Sequence, residues 1–281
     1  MTRRVRAAAR LRTVPGALAA TFVVLLGVYL LSPVVEYGDG RGAGPTAASI
    51  VTRGDLRLDP FSDLSWYGAY QTTVVDGHTY DFYPWTRSVF AVPVALGLQV
   101  GQAVGLTPDA DAAVRSDRWE RVLLVVPGSL ATAGAAVLVG LLASRLVRDR
   151  RLATRTAVAT ALVIGLATGY WSTSSRSMWQ HGPACFWFTL ALLGADHLRQ
   201  DGRARWAAVI GATATAAALT RPLFAILAVA LLLWCLAVRP RRAVSLGLGV
   251  LAAAVPVTLV NLATFGSPLM PYYAVDRAGK A

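Results

Sequence analysis

Lysine is almost missing from this chain of 281 residues: of its 27 basic residues, all but Lys280 are arginine. Cysteine is nearly as scarce, at 2 residues, and Cys185 and Cys235 both lie inside apolar runs. No CxxC pair or Cys/His cluster occurs, which excludes a disulfide framework and a cysteine-based zinc site. Only 3 histidines are present, and His78 and His181 are too isolated in sequence to suggest a metal centre. Charged residues make up 15% of the chain against 55% hydrophobic, with a mean hydropathy of +0.51. This balance excludes disordered, collagen-like and ordinary water-soluble classes. There is no internal repeat, no low-complexity tract and no sign of a second domain.

What the chain has in quantity is long apolar runs. A bilayer core of about 30 Å takes roughly 20 mostly apolar residues per helix. Seven runs qualify, at 14–35, 120–144, 155–172, 182–197, 206–220, 222–238 and 243–264. An eighth, 88–106, is weaker, being interrupted by Pro93, Gly97, Gln99, Gly101, Gln102 and Gly105. The expected fold is therefore an all-α polytopic membrane protein of about 7–8 transmembrane helices, with one large extracytoplasmic loop containing short helices. Arg3, Arg4, Arg6, Arg10 and Arg12 precede the first run, as in a secretory signal. That run is too long for a signal core and lacks a convincing cleavage site, so it reads as an uncleaved first span.

The net charge of +12 follows the same logic. Segments 1–13, 145–155, 198–205 and 239–242 hold 16 of the 27 basic residues and, with the adjoining Asp196 counted, only three acids. The other 11 bases and 12 acids nearly cancel. Arginine-rich loops mark the cytoplasmic side, so the excess reads as topology, and no nucleic-acid partner is expected. The expected layout is one membrane domain over 1–281: a cytoplasmic arm 1–13, a first span 14–35, an extracytoplasmic loop 36–86, remaining spans within 87–264 and an extracytoplasmic tail 265–281. A full span at 88–106 would move Arg145, Arg148, Arg150, Arg151 and Arg155 outside, so that segment reads as re-entrant or interface-lying. The expected location is the plasma membrane, multi-pass, with the N-terminus cytoplasmic and the chemistry outside.

The 36–86 loop carries seven acids and an aromatic cluster at Trp66, Tyr67, Tyr70, Tyr80, Phe82, Tyr83 and Trp85. It reads as short helices rather than strands, one starting near Pro45 and a second over LDPFSDLSWYGAY, with aromatics at the headgroup level. Asp76-Gly77 is a turn signal.

Polar groups at or just outside membrane depth are costly, so each is a candidate for function. Asp39 sits in Glu36-Tyr37-Gly38-Asp39-Gly40-Arg41, where the first span ends. A carboxylate flanked by glycines can approach a substrate closely and act as general base; the alternative is a solvated loop acid. Arg87 follows Tyr80-Asp81-Phe82-Tyr83-Pro84-Trp85-Thr86 and can hold a lipid phosphate, or it can be a snorkelling arginine in an aromatic belt. Arg176 and His181 lie in one short outer hairpin, and Arg221-Pro222 forms a turn between apolar helices with no acidic neighbour in sequence. Arg41, Asp81, Tyr83 and His181 are candidates for acceptor binding or support. Together these residues suggest one outward-facing cavity in which arginines stabilise a leaving phosphate and an acid activates an acceptor. The run Gly38-Asp39-Gly40-Arg41-Gly42-Ala43-Gly44 lacks the preceding strand and the GK[ST] ending of a nucleotide loop.

The order of EYGDGRGAGPTAASIVTRGDLRLDPF, GHTYDFYPWTRSVFAVPVAL, SRSMWQHGP, TRP and NLATFGSPLMPYY resembles the bacterial integral-membrane glycosyltransferases of the GT-C superfamily. The likeness is to the branch related to protein O-mannosyltransferases and the aminoarabinose transferase of lipid A. The resemblance implies an enzyme of the cell envelope with a polyprenyl-phosphate-linked sugar as donor, an acceptor of unknown identity, and a catalytic carboxylate early in the first extracytoplasmic loop. Asp39 matches that acid; Arg87 is similar in location to the basic residue near the lipid phosphate, with Arg176 and Arg221 at further outer-face basic positions. Many members carry Lys-Pro where Thr86-Arg87 stands here, and Gly40 replaces the second acid of an expected Asp-Glu pair. No cofactor is implied, and a divalent metal stays an open alternative. Family members continue past an FGSPL-type loop with more spans, so a short version, a truncation or a fragment is expected. Two other functions fit less of the sequence: a transporter or flippase-like protein for a lipid-linked or anionic solute, which would want ionisable groups near the midplane, and a non-catalytic membrane assembly subunit.

Overall fold

A computed structural model describes residues 13–274; the arginines of the expected arm and most of the expected tail lie outside the described residues. The protein is all-α apart from one hairpin. Helix α1 (Thr13–Leu31) leads through a 3-10 turn at Gly38–Gly40 into α2 (Ala43–Arg53). Strands β1 (Thr72–Val75) and β2 (His78–Asp81) precede a 3-10 turn at Trp85–Phe90, α3 (Val92–Ala103) and the short α4 (Ala110–Val114). The bundle follows: α5 (Asp117–Arg145), α6 (Arg150–Leu166), a π turn at Tyr170–Ser174, α7 (His181–Asp201), α8 (Ala204–Thr220), α9 (Phe224–Val238) and α10 (Ala243–Phe265). The short α11 (Pro271–Ala274) ends the described chain.

Among the described residues three helical segments are long and apolar enough to cross a bilayer: Val14–Leu31, Asp117–Arg145 and Pro240–Phe265. The other apolar runs coincide with α6, α7, α8 and α9, of 17, 21, 17 and 15 residues. Helix α3 has 12 residues, about 18 Å at 1.5 Å per residue, short of a bilayer core.

Packing within the bundle relies on small side chains. The buried face of α8 is Ala207, Ile210, Gly211, Thr213, Ala214, Ala217 and Thr220, and it meets α7, α9 and α10. Where both sides of a helix contact are apolar, small residues let backbones approach and supply the contact area that holds them. Outward faces invert the usual pattern: Val23, Ile226, Leu233, Leu248 and Leu259 are exposed. Helix α10 stops at Gly266, whose φ of 64° ends the helix and turns the chain back over the loop.

The 36–86 loop corrects one expectation. It contains a β-hairpin, not short helices alone: Thr72 faces Asp81 and Val75 faces His78, across Asp76-Gly77. Four consecutive β-branched residues favour the strand, and Asp76 at φ 49° with Gly77 at φ 79° form the two-residue turn that such a hairpin needs. Over LDPFSDLSWYGAY the only helical turn is the 3-10 segment Asp59–Phe61. The Asp59 carboxylate is drawn to β2, accepting the Thr79 N–H at 2.8 Å and contacting His78 Nδ1 at 2.7 Å. Of the aromatic cluster, Trp66 and Tyr80 are buried and Tyr70 is exposed. Trp66 and Phe61 belong to one cluster with Leu58, Ala95, Leu98 and Leu123. The loop, α3, α4 and the start of α5 thus form a cap with its own core.

Candidate functional site

A cavity of about 170 Å³ opens where three connections meet, and its lining includes Asp39, Tyr83, Trp179, His181, Arg221 and Tyr272. Asp39 comes from the 3-10 turn after α1, His181 opens α7, and Arg221 ends α8. The fold-back after Gly266 delivers Tyr272, whose ring packs on Phe82 at 5.3 Å and Tyr83 at 5.7 Å between centroids. Asn261 secures this return, accepting from Trp85 Nε1 at 2.9 Å and donating to the Pro268 carbonyl at 3.0 Å.

Asp39 is half-buried, and Tyr70 donates its hydroxyl to Oδ1 at 3.2 Å. Burial first, and then the nearby Asp39 carboxylate, hold the Tyr83 hydroxyl well above the usual tyrosine range. Tyr83 therefore stays a proton donor. Among the described residues no cation lies within ion-pair distance of Asp39.

Arg221 donates from Nη1 to His181 Nε2 at 2.8 Å. An Nε2 that accepts carries no proton, so His181 is neutral with its N–H at Nδ1. The ring is further held by stacking on Trp179, at 5.8 Å and 10°. Burial draws the Arg221 guanidinium down from its ordinary value, with Tyr272 opposing, yet an arginine stays charged at physiological pH. Arg221 has no ion-pair partner among the described residues. One cavity thus holds an anion and a cation, each without an ion-pair partner.

Arg87 is placed differently. It is completely buried and pairs through Nη2 with Asp81 Oδ2 at 2.7 Å. Its Nη1 donates to the Asp39 carbonyl, and its guanidinium lies 4.9 Å from the Tyr83 ring centroid. Burial pushes the Asp81 carboxyl up against the pull of Arg87. Asp81 also accepts the Tyr83 N–H at 3.1 Å. Arg87 and Asp81 therefore sit behind the cavity and fix the two segments that present Asp39 and Tyr83.

The glycines of the GDGRGAG run serve the same close packing. A Cβ on Gly40 would stand 2.3 Å from Ser177 Oγ, and one on Gly42 would stand 2.6 Å from the Asp81 carboxyl carbon. Only a residue without a side chain lets the Asp39 turn press against both neighbours.

The structure turns the remaining candidates elsewhere. Arg176 donates from Nε to the Trp171 carbonyl at 3.2 Å and stacks over that indole at 5.4 Å. Arg41 pairs with Glu120 at 3.5 Å and lies over Tyr37 at 4.7 Å. Of the four arginines singled out in the sequence, only Arg221 lines the cavity. Tyr70, Trp179 and Tyr272 join the site without having been selected as site residues. Their signal was faint: tyrosines in the loop and in MPYY, and an indole two positions before His181.

No protein-family model, curated protein or solved structure matches the chain.

Proposed function

We propose that this protein is a membrane glycosyltransferase that moves a sugar from a polyprenyl-phosphate donor to an extracytoplasmic acceptor. The observation that carries the reading is the pairing of Asp39 and Arg221 across one cavity, neither neutralised by a described residue. In the proposed step, Asp39 takes the proton of an acceptor hydroxyl or amine as that atom bonds to the sugar's anomeric carbon. The bond from that carbon to the donor phosphate breaks with inversion, and its electron pair goes to the phosphate oxygen. Arg221 and the Nδ1–H of His181 stabilise the charge that develops there. Tyr70 and Tyr83 orient the Asp39 carboxylate, and Arg87 with Asp81 holds the backbone that carries it. A cavity of about 170 Å³ is smaller than the roughly 300–1,000 Å³ of sites that enclose a whole ligand. It suits a phosphate and part of a sugar, with the prenyl chain lying along the apolar exterior.

The wider arrangement belongs to the same proposal. Seven spans, an N-terminus inside and the Asp39 cavity outside place the arginine-rich turns at Arg145–Arg155, Arg199–Arg205 and Arg239–Arg242 on the cytoplasmic side, as positive-inside topology requires. The glycosyltransferase resemblance of the sequence supports Asp39 as the acid.

The test uses the full chain in lipid nanodiscs with radiolabelled polyprenyl-phosphate sugars and extracted envelope acceptors. Release of polyprenyl phosphate with label passing to the acceptor supports the reading. Saturable donor binding without turnover replaces it with a transporter or flippase-like function, and neither binding nor turnover leaves an assembly role.

A further inference from the structure

The recess of most interest outside this site lies at the opposite end of α1 and α5. About 410 Å³ in volume, it is lined by Pro15, Leu141, Ser144, Arg145, Arg148 and His197, among others. Pro15 and Leu141 also line an adjoining groove of about 450 Å³, whose walls are Leu18, Ala19, Phe22, Val23, Val137 and Leu138. The two recesses are therefore continuous. Together they form a polar head site that opens into an apolar lane between α1 and α5. From Pro15 to Val23 the lane follows nine residues of α1, about 12 Å of helix axis.

The charges at the head site are unequal. Arg145 is committed to Asp196 at 2.7 Å and to His197 Nε2 at 2.9 Å. Asp149 is committed as the cap of α6, accepting the Leu152 N–H at 2.8 Å. Arg148 is exposed and has no ion pair among the described residues. Neither acid lines the recess, whose charged lining residues are Arg145 and Arg148, and the lane beside it has no charged lining residue.

We propose that this groove binds an anionic phospholipid of the leaflet on the Arg148 side, with its phosphate at Arg148 and one acyl chain along Leu18, Phe22 and Leu138. A free phosphate would leave the apolar lane unused, and a zwitterionic lipid would bring a second cation beside Arg148. The inference rests on the membrane-spanning reading but not on the glycosyl-transfer chemistry, since Asp39 and Arg221 lie at the other end of the helices.

The test is native mass spectrometry of the full chain in detergent, titrated with phosphatidylglycerol, phosphatidylcholine or glycerol 3-phosphate. Phosphatidylglycerol is expected to bind at least about fivefold more tightly than phosphatidylcholine, the scale of one arginine at a membrane surface. Arg148→Glu should abolish that preference. Ala19→Trp, at an exposed position in the lane, should weaken both lipids, and glycerol 3-phosphate should not compete. Equal binding of the two lipids, a preference that survives Arg148→Glu, unchanged binding in Ala19→Trp, or effective competition by glycerol 3-phosphate would each overturn the proposal. Asp39→Asn should retain the lipid preference, so the groove and the transfer reaction can fail separately.

Discussion

Two arginine–aspartate sets meet at one end of this molecule, and they differ in what surrounds them. Arg87 and Asp81 are buried and bonded to each other, whereas Arg221 and Asp39 face a common cavity without ion-pair partners among the described residues. Enclosed charges repay their desolvation only when paired and hydrogen-bonded. Arg87 meets that requirement through Asp81 and the Asp39 carbonyl, and its complete burial leaves no face open to a ligand. Charges that line an opening can exchange water for a ligand, and that freedom is what chemistry needs.

The comparison breaks most visibly if Arg87 is removed. Arg87→Ala leaves Asp81 buried without its partner and should cost about 3–5 kcal/mol of stability. It would be seen as a lower melting temperature in detergent together with lost activity. Arg221→Ala should do the reverse, leaving the melting temperature unchanged while transfer falls by about 10²–10³-fold, the scale of one transition-state donor. Gly42→Ala sharpens the distinction, because its Cβ would press on the Asp81 carboxylate. A cost of about 1–3 kcal/mol is expected for such overpacking, measured by the same melting curve. The smallest effect belongs to Tyr70→Phe. Tyr70 is 59% exposed, so losing its hydrogen bond to Asp39 should slow transfer only about two- to fivefold, with no change in stability.

The sequence made some of this visible and concealed the rest for physical reasons. Apolar runs located every bundle helix, because a helix among lipid tails or other apolar helices must be hydrophobic along its whole length. The Asp76-Gly77 turn was legible from local chemistry alone, yet the strands beside it were not recognised as strands. Asp59, about twenty residues upstream, bonds β2 as well as opening a 3-10 turn, a contact that no local pattern announces. Composition did not show which loop aromatics are buried: Trp66 joins the cluster of Leu58 and Leu98, while Tyr70 stays exposed.

The same limit applied to the arginines. Asp39 and Arg221 stood out as isolated charges and do reach one cavity. Arg87 stood out as an arginine beside an aromatic stretch but folds back on Asp81, six positions earlier. No spacing rule for a loop reveals such a contact. Tyr272 comes to the site only because α10 ends at Gly266 and the chain returns over Trp85.

The division between a structural pair and a working pair is tested most directly by transfer from a polyprenyl-phosphate sugar in Asp39→Asn, measured beside its melting curve. Asparagine keeps the size and can still accept the Tyr70 hydrogen bond but cannot take the acceptor's proton. The account predicts a melting temperature equal to that of the parent and turnover lower by about 10²–10⁴-fold. A folded Asp39→Asn protein that transfers sugar at the parental rate would contradict it.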